Sequence, residues 1–108
     1  MSYEVIATPI FKRELKRLAR KFHSLKNEYA ELIDSLAKNP EQGTPLGNDC
    51  YKIRLSIASK GKGKSGGARV ITNIAITDTT VYLLSIYDKS EQSDISDQDL
   101  KALLKQIG

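Results

Sequence analysis

Cysteine is almost missing from this chain: Cys50 is the only one in 108 residues. No internal disulfide can form, and metal clusters of the CxxC kind are excluded. Histidine is equally scarce. His23 stands alone at the end of a helical stretch, where such a side chain serves the last carbonyls rather than a reaction. No cysteine–histidine arrangement, His/Asp/Glu cluster or GxSxG elbow is present, so no metal and no cofactor is expected. No apolar run approaches the roughly 18 residues that a membrane span requires. Met1-Ser2-Tyr3-Glu4 is not a charged segment leading into an apolar one, so no secretory signal is read and a cytoplasmic location is expected.

What the chain does have is positive charge, unevenly placed. Its length is that of one domain, residues 1–108, with a formal net charge of +4. From Met1 to Val70 there are 14 Lys and Arg against 7 Asp and Glu; from Ile71 onward there are 3 against 6. A basic body with an acidic tail fits a nucleic-acid partner, and fits self-masking or a charged protein partner as well.

Tyr3 to Ala7 reads as a strand. Thr8 is placed to cap the helix that follows and Pro9 suits its first position. Phe11, Leu15, Leu18 and Phe22 recur on one narrow helical face, while Lys12, Arg13, Lys16, Arg17, Arg20 and Lys21 occupy the opposite arc. Ser24 opens a second helix with Leu25, Tyr29, Leu32, Ile33 and Leu36 on its apolar face, ending at Asn39-Pro40. The short link between the two predicts an antiparallel hairpin. Glu41 to Asp49, with Gly43, Pro45 and Gly47, reads as a loop.

Cys50 to Ile57 alternates. Tyr51, Ile53, Leu55 and Ile57 point one way, and Lys52, Arg54 and Ser56 the other, as in a strand with one buried and one cationic face. Arg69 to Ile76 and Val81 to Tyr87 are apolar at almost every position, as strands covered on both sides are. Thr77 to Thr80 joins them as a hairpin. Ser96 with Asp99 resembles a capping box opening a last helix, whose apolar face is Leu100, Leu103, Leu104 and Ile107. The expected fold is α+β: a small, mainly antiparallel four-stranded sheet, a helical hairpin on one face and a short C-terminal helix, in the order β-α-α-β-β-β-α.

Between the alternating strand and the apolar pair lies Lys60-Gly61-Lys62-Gly63-Lys64-Ser65-Gly66-Gly67-Ala68-Arg69, four cations and four glycines in ten residues. Glycine permits φ > 0 and close main-chain approach, and successive N–H groups in such bends cradle anions. Gly63-Lys64-Ser65 matches the end of a nucleotide-binding P-loop. The first glycine of that motif would fall at Ala58, however, and a strand follows where the motif needs a helix.

The chemistry-bearing groups that remain are Lys52, Arg54, Lys60, Lys62, Lys64, Arg69, Tyr87 and Lys89. Such a set binds a polyanion. It can also cleave RNA, where the 2′-OH attacks the adjacent phosphodiester and the protein orients it, neutralises phosphoryl charge and moves two protons. A simple register with Ile76 opposite Val81 pairs Val70 with Tyr87 and Arg69 with Asp88, bringing Arg69, Tyr87 and Lys89 to one end of the sheet. The same register allows an ordinary Arg69–Asp88 salt bridge, and alternation would put Arg69 and Lys89 on opposite faces.

Gly61 to Ile71 (GKGKSGGARVI), with Val81 to Ser96 (VYLLSIYDKSEQSDIS) and the short last helix, resembles the RelE/HigB-type toxins of bacterial type II toxin–antitoxin modules. The resemblance implies an mRNA interferase that cuts translated mRNA on the ribosome without a metal, leaving a 2′,3′-cyclic phosphate and a 5′-hydroxyl. It also implies a cognate antitoxin, usually a helix-turn-helix DNA-binding protein. By position, Arg69 takes the transition-state arginine and Lys89 the acid or charge stabiliser. Tyr87, Lys60, Lys62 and Lys64 take orienting and phosphate-binding roles. Ala68 stands where an aromatic is common, and the general base is left unassigned. Readings of other classes on these residues are a gyrase poison resembling ParE and a plain RNA-binding module.

Overall fold

A computed structural model of the chain describes residues 2–60 and 66–107. The elements are β1 (Glu4–Ala7), α1 (Pro9–Lys21), α2 (Leu25–Lys38), β2 (Thr44–Gly47), β3 (Cys50–Leu55), β4 (Ala68–Ala75), β5 (Thr80–Asp88) and α3 (Asp97–Leu104). They build one mixed sheet of order β1-β5-β4-β3-β2, with β1 parallel to β5 and the other pairs antiparallel. The α+β class holds, with five strands rather than four.

The added strand, β2, lies within the stretch expected to be a loop. Asn48 and Asp49, at φ 54 and 59, make the two-residue turn that returns the chain from Gly47 to Cys50. Both central residues of such a turn need φ > 0, which Asn and Asp tolerate. Pro45 is accommodated because β2 is an edge strand with a bulge between Pro45 and Gly47. Just before it, Gly43 has φ +93 and packs so closely on the Lys52 carbonyl that a Cβ there would collide with it.

The helices begin where the sequence places them, with different capping chemistry. Pro9 opens α1, but the Thr8 hydroxyl donates to the Leu83 carbonyl at 2.8 Å and so ties the helix start to β5. The Ser24 hydroxyl meets Glu28 and Ser59 instead of capping α2. Ser96 does cap α3, accepting from the Asp99 N–H at 3.1 Å.

Two apolar layers form, one on each face of the sheet. The hairpin of α1 and α2 contributes Phe11, Leu18, Leu25 and Leu36, packed with Ile53, Val70, Leu83 and Ile86. On the other face, Leu100 and Leu103 of α3 pack with Cys50, Ile71, Leu84 and Tyr87. Gln106 pins the end of this layer: its side chain accepts from the Ile10 N–H at 2.9 Å and donates to the Leu84 carbonyl.

The β4–β5 register differs from the simple one by two residues next to the turn and by one at its far end. Ala75 pairs with Thr80, a bulge falls between Ile71 and Thr72, and beyond it Val70 pairs with Ile86 and Arg69 with Tyr87. The cause is the connection. A 3₁₀ turn over Ile76–Asp78 and a left-handed Thr79 at φ 48 take up residues that a tight hairpin would leave in the strands. The bulge breaks the alternation along β5, so that Leu83 and Ile86, three apart, share the hairpin layer while Leu84 and Tyr87 share the other.

Leu83 is fully buried in the hairpin layer. Leu83→Ala is expected to cost about 2–5 kcal/mol, read as a lowered urea midpoint with an unchanged slope.

Candidate functional site

On the sheet face that carries α3, the register sets Arg54, Arg69 and Tyr87 side by side across β3, β4 and β5. Arg69 and Tyr87 are buried, and Arg54 is exposed at the outer end of the row. Two guanidinium-bearing residues directly opposite one another disfavour the ladder. The Arg69 guanidinium also donates to its neighbour's carbonyl, that of Ala68, at 3.1 Å.

Lys52 lies one step along β3 on the same face, opposite Ile71. Lys89 follows β5 directly, and its N–H donates to the Gly67 carbonyl at 3.1 Å, extending the ladder by one bond. With Tyr87 rather than Asp88 opposite Arg69, alternation carries Lys89 to the side of Arg69, and the expected separation of the two does not arise.

The segment after Lys89 folds back across this face. Lys89 Nζ donates to the Ser93 carbonyl at 2.7 Å, Gln92 Nε2 to the Asp94 carbonyl at 2.9 Å, and Lys52 Nζ to Asp94 Oδ1 at 3.0 Å. The Ile95 N–H, then Lys52, then the charge of Lys89 hold the Asp94 carboxyl below its ordinary value. Burial pushes the Tyr87 phenol up and Asp94 pushes it further, against a lowering by Arg69. Its hydroxyl has no hydrogen-bond partner among the described residues.

Asp94 was invisible as a site residue in the sequence. It is one carboxylate in an acidic tail, and only the backward fold of that tail puts it beside Lys52. Cys50, by contrast, is buried with its thiol pushed up by desolvation, the state of a packing residue rather than a nucleophile. Among the described residues, no three His, Cys, Asp or Glu side chains converge on a point where a metal could sit. None of the described helices is long and apolar enough to cross a membrane.

Lys60 is not brought to the row. Its ammonium forms an ion pair with Asp88 on the hairpin side, with side chains 8% and 1% exposed, and lies 5.7 Å from the centroid of the Phe22 ring. Asp88 faces Ala68 across the ladder and is also approached by Lys21 at 3.7 Å, so Lys60 and Lys21 take the carboxylate that the simple register offered to Arg69. Lys62 and Lys64 lie outside the described residues. His23 is exposed at the end of α1, and Arg17 on the back of that helix reaches Glu91 at 2.8 Å.

The family model of the RelE toxin of the RelE/RelB toxin–antitoxin system matches residues 8–107. Among solved structures, the chain is similar to an arginine-to-alanine double mutant of the E. coli toxin RelE in the free state. That match has a TM-score of 0.66 and 17% identity, with all of both chains covered. It is also similar to a chain of the intact E. coli RelBE toxin–antitoxin complex, at TM-score 0.61 and 17% identity, covering 81% of this chain and 96% of that one. A chain of the RelBE2 toxin–antitoxin complex of Mycobacterium tuberculosis matches at TM-score 0.59 and 21% identity, covering 82% and 92%. At these identities the structural likeness speaks for the fold.

Burial alone would raise the Asp88 carboxyl, but the Lys60 and Ser90 hydrogen bonds and the charges of Lys60 and Lys21 outweigh it, and the group sits below its ordinary value. The stabilisation is therefore complete above the unfolded value of about 3.9 and is lost as pH falls through the folded value. Asp88→Asn strands the Lys60 ammonium and is expected to cost about 3–5 kcal/mol at neutral pH. Urea titrations across pH should show the gap between variant and wild type closing below about pH 4, the range set by that unfolded value.

Proposed function

The chain belongs to the RelE toxin family, and from that premise we propose that it is a metal-independent endoribonuclease that cuts messenger RNA on the ribosome. The observation that carries this reading is the row Arg54–Arg69–Tyr87, flanked on the same face by Lys52 and Lys89. Those five groups supply the charge stabilisation, the positioning and the acid that 2′-OH cleavage requires of a protein. Arg69 is always protonated, and its planar fork matches two phosphoryl oxygens, so it stabilises the charge that builds on the phosphate in the transition state. Lys52 and Arg54 hold the flanking backbone phosphates. Lys89 neutralises or protonates the departing 5′-oxygen, and Tyr87, kept as a phenol by burial, donates a hydrogen bond that orients the phosphate.

Bond making and breaking are balanced within the RNA. The 2′-oxygen joins phosphorus as the bond from phosphorus to the 5′-oxygen opens, leaving a 2′,3′-cyclic phosphate and a 5′-hydroxyl. A message held on the ribosome is already restrained, which lowers the entropic cost of aligning the 2′-oxygen with the leaving group. Relatives of this chain have been solved in complex with the antitoxin RelB or with a peptide from it. A cognate antitoxin with a helix-turn-helix DNA-binding part is the corresponding partner proposed for this chain.

Arg69→Lys keeps the charge and loses the fork. Induced in cells, the wild type is expected to arrest growth and to give discrete cuts within coding regions by primer extension. The variant should lower cleavage about 100- to 1,000-fold with the circular dichroism spectrum retained. A fully toxic variant, or DNA damage without mRNA cuts, would overturn the reading; the second outcome belongs to a gyrase poison.

A further inference from the structure

Resting on the endoribonuclease reading, we infer that Asp94 is the general base of this chain, taking the 2′-OH proton as the 2′-oxygen attacks. The argument starts from what the other groups on the face can do at neutral pH. Arg54 and Arg69 cannot release a proton. Lys52 is engaged as a cation by Asp94 itself. Lys89 donates to a carbonyl, which an ammonium does at no cost. Tyr87 is held protonated by its burial. Asp94 alone in this set carries lone pairs with negative charge.

Its placement suits the task. The backbone around Asp94 is pinned by Gln92 on its carbonyl and by Lys89 on the carbonyl before it, and Ile95 N–H donates to Oδ1 at 2.8 Å. The carboxylate nevertheless remains 64% exposed, open to a substrate laid along the row. Charged and titratable groups facing it are Lys52, Lys89 and Tyr87. In the free chain the Ile95 N–H and then Lys52 hold the carboxylate as a weak base. An RNA phosphate competes for the same ammonium, and as Lys52 turns to it the carboxylate loses one of the contacts that keep it weakly basic and becomes a stronger base. Substrate binding thereby switches on the base it needs.

The step balances. The proton leaves the 2′-oxygen for Asp94 as the new bond to phosphorus forms. The bond to the 5′-oxygen breaks, and that oxygen takes a proton from the Lys89 ammonium. Exchange with water then returns both groups to their starting states.

The test is single-turnover cleavage of a message on programmed ribosomes by the full chain. Asp94→Asn is expected to slow cleavage about 100- to 1,000-fold with ribosome affinity unchanged. Asp94→Glu should recover part of the rate. A message with sulfur in place of the scissile 5′-oxygen separates the two proton roles, because a thiolate leaves without being protonated. It should rescue Lys89→Ala and leave Asp94→Asn slow. Asp94→Asn cutting at the wild-type rate, losing only affinity, or being rescued by the sulfur message would overturn the assignment while leaving the nuclease standing. A wild type that cuts no programmed message would remove the nuclease and the base together.

Discussion

Strands β4 and β5 are covered on both faces, so their backbone N–H and C=O groups must find partners within the ladder. That requirement, met with a bulge between Ile71 and Thr72, sets which side chains enter the hairpin layer and which enter the α3 layer. A slip of one residue would exchange the two sets, driving Val70 and Ile86 out of one core and Arg69 into it. The apolar residues therefore hold the cations in position, though none of them touches an anion.

Charge is divided between the faces along the same line. Asp88 on the hairpin side is buried, paired and committed to stability, and Lys60 is committed with it. Asp94 on the α3 side is exposed and paired with a half-buried lysine that has another use. The two carboxylates are six positions apart in one acidic segment, and both lie below their ordinary values. Burial separates their roles. An ion pair out of water resists exchange with solvent or ligand, whereas an exposed pair is weak enough for an arriving phosphate to divide.

The family model spans nearly the whole chain, yet the solved relatives share only 16–21% identity with it. A fold survives such divergence when the periodicity of apolar positions and the volume of the core are kept. The row across β3, β4 and β5 rides on that frame. Arg54 and Arg69 oppose each other at a cost to the ladder, and the two apolar layers supply the stability that tolerates it.

From the sequence alone came the helices with their apolar stripes, four of the five strands, the Ser96 cap and the cationic character of the Lys52–Arg54 face. All of these are set by period and propensity within a few turns or strand steps. Only the tertiary structure decided the partners. It paired Arg69 with Tyr87, sent Lys60 to Asp88, made an edge strand of Thr44–Gly47 and brought Asp94 back to Lys52. Each of these rests on a bulge, a turn with φ > 0 or a returning loop. Such features shift a register or close a chain over many residues while leaving no period in the sequence to read.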